Sequence, residues 1–150
     1  GRPYPNNEEG EKKWISTMYP TGFLTTIYLV AEEISTKQFI GYLSASNIDY
    51  INRNAHVGMI FHKEARGKGF YKEACALFYA YLFNEINLHK IYSGIVDYNE
   101  IAINADKEMG FTFEGIRKEH RFQNGKFHDV HIIGLLARDF FSMNDLKKYI

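Results

Sequence analysis

Residues 57–74 read VGMIFHKEARGKGFYKEA and join an apolar run to an amphipathic one through a turn that contains two glycines. The run that ends at Phe61 is typical of a buried strand. Phe70 begins a segment in which apolar residues recur every three or four positions, as on one face of a helix. Gly67 and Gly69 lack a Cβ, so the backbone can turn tightly and an anion can approach the N–H groups at the helix start. The stretch predicts a strand–turn–helix unit suited to binding an anion.

The glycine pattern alone leaves two interpretations of this turn open. In one, the turn is a phosphate cradle, and Arg66 and Lys68 add positive charge beside the helix N–H groups. In the other, it is a loop that merely starts a helix. The turn lacks the Lys-Ser or Lys-Thr pair of a nucleotide-hydrolysing loop, which argues against that class.

Composition limits the kind of protein. The chain has 150 residues, 45% of them apolar, which is enough for one domain with a core. Lys plus Arg and Asp plus Glu number 18 each, and a net charge of zero argues against a general nucleic-acid binder. The single cysteine, Cys75, excludes an intrachain disulfide and a multi-cysteine metal site, and its helical spacing favours a packed thiol. No apolar run approaches the roughly 20 residues of a membrane span and no signal peptide is recognisable, so we expect a cytoplasmic protein without membrane contact.

Hydrophobic patterning predicts a mixed sheet. Runs rich in β-branched and aromatic residues predict strands at 23–32, 39–48, 55–61, 90–96, 111–122 and 127–136. Helical spacing predicts helices at 8–18, from 70 onward, at 99–110 and at 139–148. Asn99 is expected to cap a helix, Gly110 to end it, and Asn124-Gly125 to form a hairpin turn. We therefore expect one α/β domain over residues 1–150, with a mostly antiparallel sheet and helices on both faces.

Three ordered motifs resemble the GCN5-related N-acetyltransferase (GNAT) superfamily. The first is its acetyl-CoA signature, Arg/Gln-x-x-Gly-x-Gly/Ala, whose fixed slots hold Arg66, Gly69 and Tyr71, although the last slot is normally small. The second is an Asn-x-x-Ala start at Asn99 with Gly110-Phe111 at the end of the helix. The third is a tail similar to the branch that acetylates ribosomal-protein N-termini, polyamines and amino groups of nucleotide sugars. Its matching residues are Phe113-Glu114-Gly115, Arg117, Asn124-Gly125, Asp129 and Gly134-Leu135-Leu136.

The resemblance covers residues 23–141, preceded by an N-terminal segment at 1–22, and implies acetyl-CoA as co-substrate and no metal. The strands at 55–61 and 90–96 would splay into a cleft for the pantetheine arm. The implied cofactor contacts are backbone groups of Ile60, Phe61 and His62, the pyrophosphate loop Arg66, Gly67, Lys68, Gly69, Phe70 and Tyr71, and the side chain of Asn99. Gly58 would leave room for close approach, and a strand bulge explains that glycine equally well.

The implied reaction is direct attack of a primary amine on the thioester in a ternary complex, an acyltransferase reaction of class EC 2.3.1. An amine with a pKa near 10 must first lose a proton, so a base is expected. His56 lies in a strand slot where relatives often carry Glu, and it is the candidate base; the alternative is a solvated residue at a strand edge. The slot of the usual thiolate acid, a tyrosine, holds Asp106, and Ala102 fills a slot that can hold serine. Tyr98 or water remain open as proton donors.

Several alternatives concern the acceptor and the activity. The acceptor implied by the tail is a small molecule, such as an amino sugar or a polyamine, or else a protein N-terminus or other peptide amine. The departures at Asp106 and Ala102 leave open an acyl-CoA-binding module with impaired turnover. Relatives begin with a strand and a helix before the segment that matches Gly1, so these two elements are expected to be missing, and a homodimer is compatible with the exposed sheet edges.

Overall fold

The computed structural model describes residues 25–65 and 67–143. The strands are β1 (Thr26–Glu32), β2 (Phe39–Asp49), β3 (Asn54–Phe61), β4 (Lys90–Val96), β5 (Thr112–Gln123) and β6 (Lys126–Leu136). The helices are α1 (Phe70–Asn84), α2 (Glu100–Glu108) and α3 (Ala137–Met143), and a 3-10 turn spans Lys63–Ala65. The six predicted strands and the helices after residues 69 and 99 are confirmed. The helix predicted at 139–148 begins at Ala137, and the part of the prediction beyond Met143, like the helix predicted at 8–18, falls outside the described residues.

The six strands form one sheet in the order β1-β2-β3-β4-β6-β5. Four of the five neighbouring pairs are antiparallel, and only β3 and β4 run parallel. Parallel neighbours need a crossover, and α1 supplies it between β3 and β4. The expected mixed, mostly antiparallel α/β sheet is confirmed.

The parallel pair β3–β4 is joined at one end only. Its register consists of Asn54 with Lys90, Ala55 with Ile91 and His56 with Tyr92. Beyond His56, β2 stays paired with β3 as far as Phe61, while β6 stays paired with β4 as far as Val96. Each strand therefore follows its own half of the twisted sheet. The predicted splay is confirmed, and it opens a cleft in the middle of the sheet.

Arg53 fastens the closed end of this cleft. Its carbonyl oxygen accepts hydrogen bonds from the N–H groups of His89 at 2.7 Å and Lys90 at 3.1 Å. Its guanidinium donates to the backbone oxygen and the side-chain Oδ1 of Asn87, both at 2.7 Å. The loops that enter β3 and β4 are thus held together just before the strands begin.

The core lies between one face of the sheet and α1. Odd-numbered residues of β2, β3 and β4, such as Ala45, Val57 and Ile91, are buried on this face. Side chains of α1 that pack in the same cluster are Cys75, Ala76, Phe78, Tyr79, Leu82 and Phe83. Burial raises the pKa of the Cys75 thiol to about 12, so the predicted packed thiol is confirmed.

The three described helices share one layer. Asp106 of α2 contacts Tyr71 of α1, and the ring of Phe140 in α3 packs against Tyr79 and Phe83 of α1. The opposite face of the sheet, which we call the open face, carries even-numbered residues such as Tyr42, and no described helix covers it. The expected helices on both faces therefore stay a prediction. None of the described helices is long and apolar enough to cross a membrane.

Local signals in the sequence are also borne out. The Asn99 side chain accepts a hydrogen bond from Ala102 N at 3.3 Å and so caps α2, and Gly110 has φ 98° just after that helix. Asn124 and Gly125, with φ of 52° and 78°, join β5 to β6 as a two-residue turn. The β2–β3 register is continuous through Gly58. The bulge interpretation of that glycine is therefore wrong.

The α1 packing makes a prediction about stability. Leu82→Ala removes a side chain that is 0% exposed, so we expect it to lower the free energy of unfolding by about 2–5 kcal/mol. Leu77→Ala, on the same helix but 42% exposed, is the matched control and should cost under about 1 kcal/mol. Urea denaturation of both variants provides the measurement, and equal losses would show that α1 does not pack as described.

Candidate active site

The turn before α1 presents open backbone at the end of β3. Gly67 and Gly69 are exposed and have φ of 75° and 83°, a left-handed conformation that favours glycine. A Cβ at either position would meet no atom within 4 Å. Gly69 is the N-cap residue of α1 and offers no capping side chain, and the first N–H groups of a helix have no partner within it. This arrangement favours the phosphate cradle over a plain connecting loop. Of the predicted contacts, Lys68 is exposed beside these glycines, and Arg66 lies outside the described residues.

The cleft-facing edge of β3 carries unpaired polar backbone. The N–H of His62 donates to the carbonyl of Ile40 at 2.9 Å, which places even-numbered positions at this end of β3 against β2. Met59 and Phe61 therefore turn their N–H and C=O groups to the cleft, where no described strand pairs with them. Unpaired backbone groups of this kind need hydrogen-bond partners.

The expected backbone contacts on β3 therefore need a correction. Phe61 faces the cleft as predicted, whereas Ile60 lies opposite Tyr42 in the β2–β3 ladder and the N–H of His62 is already bonded. Met59, which was not predicted, turns its backbone groups to the cleft instead. The sequence does not indicate this. The pattern of a strand shows which face of the sheet each side chain lies on, but not which neighbouring strand its backbone N–H and C=O groups point to.

Two departures from the family pattern touch each other. The hydroxyl of Tyr71 donates a 2.6 Å hydrogen bond to Oδ1 of Asp106 and lies 3.6 Å from the sulfur of Met59. Asp106 is only 4% exposed, and its pKa is raised by burial and lowered by the bond from Tyr71. Burial is also the largest cause that raises the pKa of Tyr71, followed by the nearby Cys75 and Asp106. The pair ties the start of α1 to α2 beneath the cleft edge of β3.

The Tyr71–Asp106 contact limits which side chain can protonate the thiolate of CoA. A phenol whose pKa is raised holds its proton more tightly, so Tyr71 is a poor donor to a thiolate of lower pKa. The hydroxyl of Tyr98, the other candidate phenol, donates to Oε1 of Gln123 at 2.7 Å, and its ring packs on His128. Tyr98 is thus held toward the β5–β6 hairpin.

His56 and Tyr92 mark the point where the two strands part. They are the last residues in the β3–β4 register, and their rings pack edge to face with centroids 5.6 Å apart. His56 Nδ1 lies 3.4 Å from Oγ of Ser46. Because β3 is an interior strand and His56 is half-buried, the alternative of a solvated edge residue is wrong. Tyr92 was missed by the sequence analysis, since only the register shows that it meets His56.

The electrostatics of His56 suit proton acceptance. Burial is the largest cause that lowers the pKa of its imidazole, and the charge of Arg117 lowers it further. The neutral ring, which has one nitrogen available to take a proton, is therefore favoured over the imidazolium.

Two further predictions concern Asn99 and a metal ion. Asn99 is exposed at the start of α2, where its side-chain oxygen serves as the cap, so its contact with the cofactor stays a prediction. Within residues 25–65 and 67–143, no three His, Cys, Asp or Glu side chains are arranged to hold a metal ion.

The chain belongs to the acetyltransferase (GNAT) domain family, whose sequence profile matches residues 2–112. It is 33% identical over 113 residues to the spermidine N(1)-acetyltransferase of Vibrio cholerae serotype O1, covering 75% of this chain and 65% of the relative. It is 32% identical over 99 residues to the putative ribosomal N-acetyltransferase YdaF of Bacillus subtilis strain 168, covering 66% and 54%. The chain thus spans less than two thirds of either relative.

A solved structure shows the same architecture. The crystal structure of spermidine N-acetyltransferase from Vibrio cholerae in complex with CoA and spermine matches with a TM-score of 0.84 and 30% identity. The match covers 94% of this chain and 81% of that one. The GNAT fold expected from the three motifs is therefore confirmed.

The glycine turn makes a prediction about CoA binding. Gly69→Ala places a methyl group at the open mouth of the turn, and we expect it to weaken CoA binding roughly tenfold or more, because backbone approach to the anion is lost. Gly125→Ala is the matched control, since Gly125 has a similar φ of 78° and equally open surroundings but lies in the distant hairpin. Both should lose about 1–2 kcal/mol of stability. Calorimetric titration with CoA separates them, and equal affinities would contradict a cradle at this turn.

The Tyr71–Asp106 pair makes a second prediction. Tyr71→Phe leaves a buried carboxylate without its donor, which should cost about 1–3 kcal/mol of stability near neutral pH. The folded pKa of Asp106 lies above its unfolded value, so the native state binds more protons in the window between the two and stability falls there as pH rises. Asp106→Asn keeps an acceptor for Tyr71 and should remove this slope. Denaturation curves across that window provide the measurement, and an unchanged slope in Asp106→Asn would contradict it.

Proposed function

We propose that this chain is an acetyl-CoA-dependent N-acetyltransferase that transfers the acetyl group to a primary amine by direct attack. The observation that carries the proposal is the end of β3–β4 pairing at His56 and Tyr92, on a strand that leads into the glycine turn at Gly67 and Gly69. Membership of the GNAT family supports it, as does a relative named as a spermidine N-acetyltransferase.

Each part of the substrate has a chemically suitable counterpart. The pyrophosphate suits the N–H groups at the start of α1, and the amides of the pantetheine arm suit the free edge at Met59 and Phe61. The thioester end then lies toward the closed end of the cleft, beside His56. Membership in the family and this match together support acetyl-CoA as the co-substrate.

His56 acts as the base of the reaction. It takes the proton of the incoming ammonium, directly or through one water, and the free amine then attacks the thioester carbonyl. The C–N bond forms and the C–S bond breaks. The nitrogen then loses its second proton, which passes through water to the leaving thiolate, since Tyr71 and Tyr98 are both engaged elsewhere. The contact with Tyr71 gives Asp106 a structural role, so its presence in the tyrosine slot does not by itself indicate lost turnover.

The acceptor is a small amine, with a peptide N-terminus as the alternative. Both classes occur among the names of the relatives, spermidine in one and ribosomal protein in the other. The preference for a small molecule rests on two features. The first is the likeness of the tail, and the second is that short polar side chains, Ser44 and Ser46, lie beside His56 on the open face near the cleft.

Removal of the base tests the proposal. His56→Gln should lower kcat/KM by roughly 10²-fold or more, since general base catalysis is worth about 10²–10⁴-fold. Wild-type activity should fall at low pH as His56 becomes protonated. Because the pKa of His56 is lowered, this fall should be centred below pH 6.5, and the variant should lack it. His120→Gln, an exposed residue on β5, is the control and should behave as wild type.

Release of free CoA thiol in the presence of a panel of amines provides the measurement. Amine-dependent release that His56→Gln loses supports the assignment. If acetyl-CoA binds but no amine in the panel releases thiol, the enzyme assignment fails and the binding-module alternative takes its place.

A further inference from the structure

We propose that the acceptor amine also carries a carboxylate or phosphate group, which Arg117 binds on the open face while the amine lies at His56. This inference rests on the proposed function and specifies its substrate class. It is drawn from a path on the open face and from the charges beside it.

The path begins where the strands part. The first open-face positions beyond His56 and Tyr92 are Gly58 on β3 and Gly94 on β4, at equal depth along the two strands. Neither carries a side chain. A Cβ at Gly58 would meet only Oγ of Ser44 at 3.3 Å, whereas one at Gly94 would meet Cγ1 of Val130 at 3.0 Å and Cδ1 of Ile132 at 3.8 Å. Just past His56 this face is therefore open on the β3 side and bordered by two apolar side chains on the β4 side.

The path continues sideways across the sheet toward β5. Gly94 pairs with Ile132 on β6, and Ile132 pairs with Gly115 on β5. A Cβ at Gly115 would meet nothing within 4 Å. Gly94 and Gly115 thus flank Ile132, and the side chains of Ile132 and Val130 line the shallow apolar trough that leads away from His56.

Arg117 borders the far side of this trough. It pairs with Val130, which pairs with Val96, so it occupies the row next to the trough and the same face. Neighbouring strands are spaced about 4.8 Å apart, so the Cα of Arg117 lies roughly 10 Å across the sheet from β4. Arg117 is exposed, its long side chain can extend toward the trough, and its charge contributes to lowering the pKa of His56. An acceptor that spans from His56 to Arg117 needs several bonds between its amine and its second group.

The charges select an anionic second group. Arg117 forms no ion pair with another described residue, whereas the acidic side chains nearby are held by cations: Glu114 by Lys90 at 2.6 Å and Asp129 by Lys118 at 2.7 Å. The strands that border the cleft, β3 and β4, contain no Asp or Glu. A second ammonium would therefore find repulsion at Arg117, and the carboxylate just past the end of β4, Asp97, already lies 3.4 Å from Nδ1 of His128. A carboxylate or phosphate would find a planar donor that binds such groups in bidentate fashion.

A matched series of acceptors tests the inference. Pentylamine, 6-aminohexanoate, 5-aminopentyl phosphate and 1,5-diaminopentane present the same amine on a similar chain and differ in the charge at the far end. We expect kcat/KM for at least one anionic member to exceed that of pentylamine roughly tenfold or more, as for a hydrogen bond to a charged group. The diamine should be the poorest substrate. Comparison of the carboxylate with the phosphate then identifies the preferred anion.

Arg117→Gln should abolish this preference mainly by raising KM for the anionic members. Its effect on the pKa of His56 is common to all acceptors, so the preference is compared as the ratio of kcat/KM for each member to that for pentylamine. Arg117→Lys, which keeps the charge but not the bidentate geometry, should retain part of it. Arg138→Gln, an exposed arginine on α3, is the control and should keep the wild-type preference. Titration with CoA confirms that each variant is folded.

The outcomes separate this inference from the proposed function. Turnover with equal or higher kcat/KM for the neutral amine or the diamine overturns the anionic acceptor and leaves the acetyltransferase standing. If no acceptor turns over, the proposed function fails, and calorimetric binding of the series to the CoA-bound protein decides the inference. An anion preference that Arg117→Gln removes supports it, and an absence of preference overturns it.

Discussion

The structure depends on a parallel strand pair that is kept for three residues and then given up. Arg53 holds the entry loops of β3 and β4 together, and the register runs only as far as His56 and Tyr92. Beyond that point each strand remains bonded to its outer neighbour, so the strands part without leaving the sheet. The separation exposes an edge of unpaired backbone in the middle of a sheet, which is unfavourable unless a ligand supplies hydrogen bonds. The same feature that costs stability therefore forms the candidate substrate cleft.

The meeting of Tyr71 and Asp106 changes how the departures from the family pattern are interpreted. Taken singly, a large residue in a small slot and an acid in a tyrosine slot both suggest weakened function. In the structure the phenol and the carboxylate satisfy each other at 2.6 Å, and they join two helices beside the cleft. A buried carboxylate needs such a donor, because leaving it unpaired costs more than the bond itself contributes. The two substitutions are thus best understood as one packing arrangement.

The net charge of the chain differs from the local charge beside the cleft. The net charge of zero gives no indication of what the acceptor carries. Pairing across the sheet, however, neutralises the acidic groups Glu114 and Asp129 and leaves Arg117 without a counter-ion among the described residues. An even balance over 150 residues is therefore compatible with a cationic region beside the cleft.

The sequence by itself determined the elements and the family. Some features are local: the hydrophobic periodicity, the helix ends at Asn99 and Gly110, and the Asn124-Gly125 turn. Local features can be predicted from the sequence because they depend on a few neighbouring residues. The ordered motifs around Gly67 and Gly69 supplied the expectation of a splayed cleft. Only the tertiary structure decided that Met59 rather than His62 turns its backbone to that cleft. It alone brought Tyr92 to His56 and Tyr71 to Asp106. These relations depend on register and on helix packing, which join residues 35 or 36 positions apart and leave no mark on the sequence near either one.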